Sequence, residues 1–518
     1  MQNRKVKILW TDDEIDLLRS HIIFLEEKGF DVKTANNGDD AIELTKKEDF
    51  DLVFLDENMP GLSGLEVLDI IKRNKPDLPV VMITKSEEEN IMEQAIGAKI
   101  ADYLIKPVNP KQILLSIKKN IDTKRLISEK TLSGYQSEFG KIGFNMNEAR
   151  SFSDWVEIYK KLIYWEIELG ENDEPGMDEV LKMQKADANS GFSRFVKQNY
   201  LSWFAGSEKP LMSPNLFKER VFPMIEKGEK VFFILIDNLR FDQWKAIQPI
   251  ISEYFTVESE EAYCSILPTA TQYSRNAIFA GLMPQEIDKL YPGLWLNDEE
   301  EGGKNLKETE LFETQLNRLS KKVKYFYEKV TNYKTGEKLV DNYKDLLNNQ
   351  LNILVYNYID MLSHARTEME MIKELANDEA AYRSITVSWF KHSPLFALIK
   401  ELQQHRVKII ITTDHGTVKV TNAIEVSGDR NTTTNLRYKN GKNLNYNPNE
   451  VFEIRQPEKA HLPKSNLSTS YIFATNYDFL AYPNNYNHYV SYYKNTFQHG
   501  GISLEEMIIP FIKLKPNK

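Results

Sequence analysis

The stretch "IIITTDHG", residues 409–416, ends an apolar run on a carboxylate beside an imidazole, Asp414 and His415. Both side chains are common ligands of divalent metals such as Zn²⁺. Asp and His are also frequent in polar turns at strand ends, so the pair alone is more typical of a turn than of a metal site. Further ligands at matching positions would favour the metal.

Four more acidic or imidazole side chains occupy comparable positions in the C-terminal half. "FFILIDN" ends its apolar run on Asp237, and "LVYNYIDMLSHAR" ends one on Asp360, with His364 four residues later. His499 precedes the last apolar run and is followed by two glycines, which allow close backbone approach. If these runs are strands of one sheet, the six side chains are enough to hold two ions. Nitrogen and carboxylate ligands without thiolate favour Zn²⁺, with Mn²⁺ as the alternative.

A hydroxyl group between these ligands could act as a nucleophile. In "SILPTATQYSRNAIFAGLMP", Thr269 and Thr271 follow Pro268 and precede a stretch of helical character. Metal coordination lowers the pKa of a hydroxyl, and a helix N-terminus attracts phosphate. Two ions about 4 Å apart stabilise both the attacking and the leaving oxygen of a phosphoryl transfer. Helix capping is the simpler role for both threonines when this stretch is taken alone.

A second group of polar residues ends the apolar runs of the first 120 residues. Asp12 and Asp13 follow the first run, Asp56 closes the third, and Lys106 closes the fifth. The carboxyl ends of parallel strands point to one edge of an open sheet, where ligands bind. Three carboxylates gathered there repel one another unless a hard cation such as Mg²⁺ lies among them, and the lysine then suits an anion bound to that cation.

The elements that must position these residues divide the chain into three parts. Residues 1–120 alternate short apolar runs with helical patterns, which predicts a doubly wound, flavodoxin-like α/β domain. Residues 121–205 lack strand patterns and show apolar residues at helical spacing, which predicts a helical segment. Residues 206–518 contain continuous apolar runs typical of strands covered on both faces, which predicts a C-terminal α/β domain. Two polar stretches, 284–345 and 421–470, are expected to be excursions of the chain that lie outside this sheet. Such segments often form lids.

Composition excludes several classes of protein. The net charge of −10 opposes general attraction to nucleic acid, and no helix-turn-helix with a basic recognition helix is found, so direct DNA binding is not expected. The single cysteine, Cys264, excludes an internal disulfide and a cysteine-rich zinc site. The N-terminus does not resemble a signal peptide, and no stretch approaches the roughly 18 apolar residues of a membrane span, so we expect a cytoplasmic protein.

With Thr84 ending the fourth run and Tyr103 in the fifth, the first 120 residues resemble a response-regulator receiver domain. The resemblance implies that a sensor histidine kinase phosphorylates Asp56 and that phosphorylation promotes a homodimer. Thr84 would contact the phosphoryl group, Lys106 would pair with it, and Tyr103 would be the aromatic rotamer switch. The implied Mg²⁺ ligands are Asp12, Asp13, Asp56 and the backbone carbonyl of Asn58.

The order of the C-terminal motifs resembles the alkaline phosphatase superfamily, nearest to its phosphodiesterases. A Pro-Thr-x-Thr motif follows Asp237, and a Gly-x-x-Pro (Gly281 to Pro284) comes after it, before the remaining ligands. The resemblance implies that Thr271 is the nucleophile. It also implies two zinc sites, one formed by Asp237, Thr271, Asp414 and His415 and the other by Asp360, His364 and His499.

One expected feature of these phosphodiesterases is absent from the sequence. They commonly place an asparagine after the nucleophile to bind a phosphate oxygen, and "DKLYPGLWLN" offers no convincing match. Asn276, Arg430 and Arg437 are the candidate substitutes. Exposed Arg and Asn side chains in a polar loop are usually only solvated, so these are candidates by residue type alone.

The order of receiver, helical segment and phosphatase-like module resembles the PorX-type response regulators, whose C-terminal part is a PglZ domain. This resemblance implies control of type IX secretion by a phosphorylated protein with a di-zinc phosphodiesterase domain. Nucleotides, including small or cyclic oligonucleotides, are the expected substrates. The alternative is a phosphorylation-controlled binding module that docks transcription or secretion proteins with little catalysis.

Overall fold

The computed structural model of this 518-residue chain describes residues 5–85, 100–172, 177–206, 209–368, 378–429, 432–464, 466 and 468–517. The side chains of residues 121–130, 171–172 and 364–368 lie outside this description, although their backbone is helical. The chain divides into two compact units, Met1–Gln136 and Ser137–Lys518. Within the described part of the chain, no helix has the length and apolar character needed to span a membrane.

The first unit contains a five-stranded parallel sheet. Its strands are β1 Lys7–Thr11, β2 Asp31–Ala35, β3 Leu52–Asp56, β4 Val80–Thr84 and β5 Asp102–Ile105. Its described α-helices before residue 106 are α1 Arg19–Glu27, α2 Gly38–Lys47 and α3 Gly64–Asn74. The strand order is β2-β1-β3-β4-β5, and β3 and β4 are buried along their whole length, as expected for strands covered on both faces. The predicted doubly wound domain is confirmed.

Three long helices follow, and they confirm the predicted helical segment. They are α4 Pro110–Glu148, α5 Phe152–Asn172 and α6 Met177–Asn199. Gly191 in α6 is needed for close packing, because a Cβ atom there would lie 2.6 Å from the indole ring of Trp155. The apolar residues that the sequence places on one face of α5 are all buried, namely Trp155, Ile158, Tyr159, Leu162, Trp165 and Leu169.

The rest of the second unit is an α/β domain, as predicted. Its strands are β6 Val231–Ile236, β7 Phe255–Cys264, β8 Tyr325–Val330, β9 Leu351–Tyr356, β10 Lys408–Thr412, β11 Val418–Lys419, β12 Asn422–Glu425, β13 Tyr438–Gly441, β14 Val451–Ile454, β15 Ser470–Ala474, β16 Asp478–Ala481, β17 Phe497–Gln498 and β18 Ile508–Pro516. Its described α-helices are α7 Phe222–Glu226, α8 Phe241–Ser252, α9 Thr271–Ala280, α10 Pro284–Leu290, α11 Glu308–Arg318, α12 Tyr333–Asp341, α13 Tyr343–Leu346, α14 Tyr358–Glu368, α15 Glu379–His392, α16 Pro394–Leu402, α17 Tyr486–Tyr493 and α18 Leu504–Met507.

The main sheet has the order β7-β18-β10-β6-β9-β8. Strands β10, β6, β9 and β8 run parallel, whereas β18 is antiparallel to both β10 and β7. The four predicted runs form β6, β9, β10 and β18. The sequence did not predict β7 and β8, because these two edge strands contain polar residues that interrupt the apolar pattern and are only partly buried.

The polar stretch 284–345 is part of the domain, contrary to the expectation of an excursion. It contributes β8 to the main sheet, and its helix α11 packs on α9. There the Gln315 amide donates to the carbonyl oxygens of Ile278 and Phe279, 3.0 and 2.7 Å away. The second polar stretch, 421–470, forms parts of two small sheets, β12-β16 and β13-β15-β14. The first stretch therefore supports α9 through Gln315, and the second contacts it through the Tyr438 ring, whose centroid is 5.8 Å from that of Tyr273.

Lys439 in β13 is a buried lysine within the second polar stretch. Its side chain is 1% exposed, and its Nζ donates to the Thr433 carbonyl at 2.9 Å. Burial lowers the pKa of Lys439 from 10.5 to about 7. Between those two pH values the unfolded chain binds a proton that the folded chain does not, so stability rises with pH across this window and the full penalty acts below pH 7.

We therefore expect Lys439→Met to increase the free energy of unfolding most at and below neutral pH and to remove the rise between pH 7 and 10.5. Urea denaturation of the wild type and the variant across this range measures both effects. Lys459→Met, which removes an exposed lysine nearby in the chain, is the control and should keep the wild-type pH profile. Identical profiles for Lys439→Met and the wild type would contradict the assignment.

Candidate functional site

Asp237, Asp414 and His415 converge beyond the carboxyl ends of β6 and β10. These strands are parallel neighbours in the sheet, so the residues that follow them emerge side by side. Their potential ligand atoms all lie within 4.8 Å of one another. His415 Nε2 is 3.8 Å from Asp237 Oδ1 and 3.9 Å from Asp414 Oδ2, and all three side chains are buried. The two carboxylates and the imidazole thus surround one point.

The cluster has the chemistry of a cation site. Asp237 Oδ1 and Asp414 Oδ2 are buried, and within the described part of the chain neither accepts a hydrogen bond. His415 Nδ1 donates to the Gly416 carbonyl at 3.1 Å, so Nε2 is the ring nitrogen that faces the carboxylates and would bind a metal. Buried acceptors that face one another are costly unless a cation lies between them. A donor set of one nitrogen and carboxylate oxygens fits Zn²⁺ or Mn²⁺.

Thr271 brings a hydroxyl to this cluster. It is the first residue of α9 and the one member of that helix that is not buried. Its Oγ1 is 3.0 Å from His415 Nε2, whereas the N-cap of the helix is Ala270. Thr269 has a different role, since its hydroxyl donates to the Gly501 carbonyl and accepts from the Gly500 amide. Thr271, rather than Thr269, therefore presents its oxygen to the candidate metal ligands.

A second group of side chains lies next to the first. The His499 ring stacks on the His415 ring with centroids 4.3 Å apart, and His499 Nε2 is 3.8 Å from Asp360 Oδ1. His499 Nδ1 donates to the Thr269 carbonyl at 3.2 Å. Asp360 does not end a strand as the sequence suggested, because β9 stops at Tyr356 and Asp360 lies in the first turn of α14.

His364 follows Asp360 by one turn in α14, but its side chain lies outside the described residues. Residues four apart lie on the same face of a helix, so this spacing is compatible with a shared ion. The structure therefore brings Asp360 and His499 together beside the first cluster. The position of the third predicted ligand remains a prediction.

Arg275 is a residue of the site that the sequence analysis missed. It lies one turn after Thr271 on α9 and is 1% exposed. Its Nη2 donates to Asp237 Oδ2 at 3.0 Å, and its Nε is 3.5 Å from Asp414 Oδ2. Glu308 of α11 forms an ion pair with the guanidinium, with its Oε1 3.0 Å from the same Nε, and so helps to hold Arg275 in place. The four-residue spacing from Thr271 was the signal that could have identified it.

The electrostatics of the two aspartates differ. Burial raises the pKa of Asp237 well above its usual value, and the neighbouring charges of Asp414 and Asp360 add to this effect while Arg275 opposes it. Burial acts on Asp414 in the same direction, but His415 and Arg275 outweigh it and lower the pKa of Asp414. Neighbouring positive charge therefore outweighs the effect of burial at Asp414 but not at Asp237.

The receiver residues also lie together. The ligand atoms of Asp12, Asp13 and Asp56 are within 4.8 Å of one another. Lys106 Nζ is 2.8 Å from both Asp12 Oδ2 and Asp56 Oδ1. Burial raises the pKa of Asp56, and the hydrogen bond from Lys106 opposes that shift. Asn58 is exposed in the loop after β3, at the same edge of the sheet.

Thr84 and Tyr103 lie on the neighbouring strands β4 and β5. The Thr84 hydroxyl donates to the carboxylate of Glu57, the residue after Asp56. Burial raises the pKa of Tyr103, and a hydrogen bond with Thr84 opposes that shift. Thr84 is thus connected both to the residue beside the predicted phosphorylation site and to the predicted switch tyrosine.

The candidate phosphate-binding side chains are engaged elsewhere. All five N–H donors of the buried Arg437 are used within the protein, by Glu506 and by the carbonyl oxygens of Thr475, Asp478 and Ile502. Asn276 is buried, donates to the Lys304 carbonyl and accepts from Asn305. Both side chains therefore stabilise the fold instead of facing a substrate. Arg430 lies outside the described residues.

Three family models match successive parts of the chain. Residues 216–514 match the BREX system PglZ alkaline phosphatase-like domain, residues 125–204 match the PorX response regulator linker domain, and residues 8–118 match the response regulator receiver domain. The first of these matches covers more than half of the chain.

Curated relatives are similar in the receiver region. The transcriptional regulatory protein ResD of Bacillus subtilis is 37% identical over 117 residues, which are 23% of this chain and 48% of ResD. The alginate biosynthesis transcriptional regulatory protein AlgB of Pseudomonas putida is 36% identical over 125 residues, which are 24% of this chain and 28% of AlgB. The chain thus spans about half or less of the length of these relatives.

Solved receiver structures give matches of the same extent. A CheY-like receiver domain protein from Methanospirillum hungatei is 28% identical, with 23% of this chain and 96% of that chain covered and a TM-score of 0.23. The response regulator TrrA from Thermotoga maritima, in complex with Mg²⁺ and BeF, is 32% identical, with 22% and 97% covered and a TM-score of 0.21.

We expect Arg275→Met to weaken zinc binding by about 10- to 100-fold, because residues that orient ligating carboxylates contribute at that scale. Competition with a chromophoric chelator measures this affinity without reference to activity. Arg318→Met is the matched control, since Arg318 donates to carbonyl oxygens at the end of α9 and contacts no candidate ligand there. Wild-type affinity in a folded Arg275→Met protein would exclude this role.

Proposed function

The chain belongs to the family of PglZ alkaline phosphatase-like domains, here joined to a receiver and a PorX-type linker, and from this membership we propose that it is a response regulator with a di-zinc phosphodiesterase as its output domain. The observation that carries the proposal is the 3.0 Å contact of Thr271 Oγ1 with His415 Nε2 inside a cluster of buried acceptors. We assign residues 1–120 to the receiver, 121–205 to the helical linker domain and 206–518 to the catalytic domain.

We assign two zinc sites, with Mn²⁺ as the alternative metal. When bound, these ions would lower the pKa of the attacking hydroxyl and stabilise negative charge on phosphate oxygens. The stacking of His499 on His415 supports adjacent sites, since it brings the two ligand groups side by side. The first site consists of Asp237, Thr271, Asp414 and His415, and the second of Asp360, His364 and His499.

In the proposed reaction, Thr271 Oγ1 loses its proton and attacks phosphorus. A new bond forms between phosphorus and Oγ1 while the bond to the leaving alkoxide breaks, and the alkoxide takes up, by way of solvent, the proton that Oγ1 lost. The intermediate is a threonine phosphodiester that keeps the other alkoxy group, and water then hydrolyses its bond to Oγ1 and releases a phosphate monoester. The backbone N–H groups of the first turn of α9 point toward the same region and favour the phosphate anion. Thr269 holds the loop after His499 through the Gly500 amide and the Gly501 carbonyl.

A diester is the better substrate on charge grounds. A phosphate monoester dianion carries one more negative charge than a diester and needs more cationic side chains. Arg275 is committed to Asp237 and Glu308, and Arg437 to Glu506, so neither guanidinium can provide that charge. We propose small or cyclic oligonucleotides as substrates.

In this proposal the receiver controls the activity of the C-terminal domain. A sensor histidine kinase would phosphorylate Asp56, with Mg²⁺ held by Asp12, Asp13, Asp56 and the carbonyl of Asn58. Lys106, which is 2.8 Å from Asp56 Oδ1, would pair with the new phosphoryl oxygens. Thr84 would turn from Glu57 toward the phosphoryl group, and Tyr103 would follow.

We propose that phosphorylation promotes a homodimer and that the protein acts in the cytoplasm, where receiver domains meet their kinases. Control of type IX secretion, with a transcription or secretion protein as partner, is supported by the PorX linker match at residues 125–204.

The direct test is hydrolysis of a nitrophenyl phosphodiester by the full chain with added zinc. Thr271→Ala should lower kcat at least about a thousandfold, because the nucleophile is removed. Thr271→Ser keeps a hydroxyl and should retain most of the activity. Chelation should also abolish turnover.

Undiminished activity in Thr271→Ala would remove that residue from the reaction, and activity that survives chelation would exclude metal catalysis. A wild type that hydrolyses no diester but binds a protein partner, with Thr271→Ala binding equally well, would favour the docking-module alternative.

For control by phosphorylation, Asp56→Asn should make the rate of diester hydrolysis insensitive to a phosphodonor.

A further inference from the structure

Asn189 of α6 connects the helical segment to the C-terminal domain. This side chain is fully buried, and its Oδ1 accepts the backbone N–H of Leu504 at 2.8 Å. Its Nδ2 donates to Glu505 Oε2 and to the Tyr477 hydroxyl, each at 3.0 Å. The amide oxygen and both N–H groups of Asn189 therefore all form hydrogen bonds with the C-terminal domain. They hold Leu504, Glu505 and Tyr477.

The turn that Asn189 holds belongs to the loop that carries His499. This loop, residues 499–506, is closed by a hydrogen bond from the Gly501 amide to Glu506 Oε1 at 2.9 Å. The Leu504 and Glu505 contacts of Asn189 lie within the same closed turn. A displacement of Leu504 or Glu505 is therefore transmitted to the backbone that follows His499.

The same turn packs against the other candidate ligand pair. A Cβ atom at Gly416 would lie 2.0 Å from the Glu505 carbonyl oxygen, so only glycine fits after His415. The Gly416 amide also points to the Glu506 carbonyl at 3.4 Å. Glu505 thus contacts Asn189 through its carboxylate and the residue after His415 through its backbone.

A chain of ion pairs provides a second connection between the same parts of the molecule. Lys185 of α6 is 2.7 Å from Glu166 of α5, and Glu166 accepts from Arg383 at 2.8 Å. Arg383 is 3.2 Å from Asp242, which also binds Arg240 at 2.6 Å. Arg240 follows Asp237 by three residues, so the chain of ion pairs ends at the loop of another candidate ligand.

We propose that Asn189 is a positioning residue through which the helical segment sets the geometry of loop 499–506 and of the backbone at Gly416. The inference rests on the proposed function, because it makes α6 a structural support of the proposed metal site. A shift of α6 would then alter His499 and His415 together. The linker would in this way regulate the site as well as connect two domains.

The test compares Asn189→Leu with Gln184→Leu in the full-length protein. Gln184 is a buried amide on the same helix, and it donates to the Phe139 carbonyl of α4. Both variants lose hydrogen bonds of a buried amide, so both should lose stability. Hydrogen exchange in metal-free protein should accelerate about tenfold or more at the amides of 500–507 and 416–418 in Asn189→Leu alone.

Cobalt substitution supplies a spectroscopic readout of the site itself. In Asn189→Leu we expect an altered visible spectrum and zinc affinity weakened by about 10- to 100-fold, with both unchanged in Gln184→Leu. Should Asn189→Leu fail to fold, Asn189→Ser, which also lacks the amide, takes its place. Equal exchange, spectra and affinities in the Asn189 and Gln184 variants would overturn the inference.

Failure of the inference and failure of the proposed function give different results. If the wild type binds zinc and hydrolyses diesters while the two variants behave alike, the inference is wrong and the function stands. If the wild type binds no zinc, the function is wrong, and hydrogen exchange in the metal-free protein still decides whether Asn189 positions the loop.

Discussion

The mutual repulsion of Asp237 and Asp414 is the constraint on which the C-terminal domain depends. Both carboxylates are removed from water, and each has an oxygen atom that accepts no hydrogen bond from the described residues. Arg275 supplies one positive charge, but Glu308 beside it carries a compensating negative charge. A cation between the two carboxylates would relieve this repulsion. Three features bring atoms toward that point: the parallel pairing of β6 with β10, the start of α9 at Thr271 and the close contact at Gly416.

The receiver also brings carboxylates together, but a lysine compensates their charge there. There too, carboxylates gather at the carboxyl ends of parallel strands, where Asp12 and Asp56 share the ammonium group of Lys106. A lysine on a flexible stem can move to a new phosphoryl group, whereas the buried, planar guanidinium of Arg275 is held by several partners. The first arrangement suits a site that changes with phosphorylation, and the second suits a site that keeps its geometry.

Much of this arrangement could be predicted from sequence, because continuous apolar runs reveal buried strands and the acids that end them. The runs ending near Asp237 and Asp414 are examples, and the one near Asp360 was placed correctly except that this residue belongs to the following helix. Edge strands β7 and β8 were not predicted, because their polar residues interrupt the apolar pattern that identifies a buried strand. The contact of Arg275 with Glu308, like those of Asn189, joins residues far apart in the chain, and no local pattern encodes it. Arg437 was misjudged because residue type does not reveal burial.

The most direct test of the account is an anomalous-scattering map at the zinc edge from crystals of the full chain. We expect two peaks in the C-terminal domain. The first should be bounded by Asp237, Thr271, Asp414 and His415, and the second by Asp360, His364 and His499. A map without a peak among the first four residues, from crystals grown with zinc, would contradict the claim that this cluster is a metal centre.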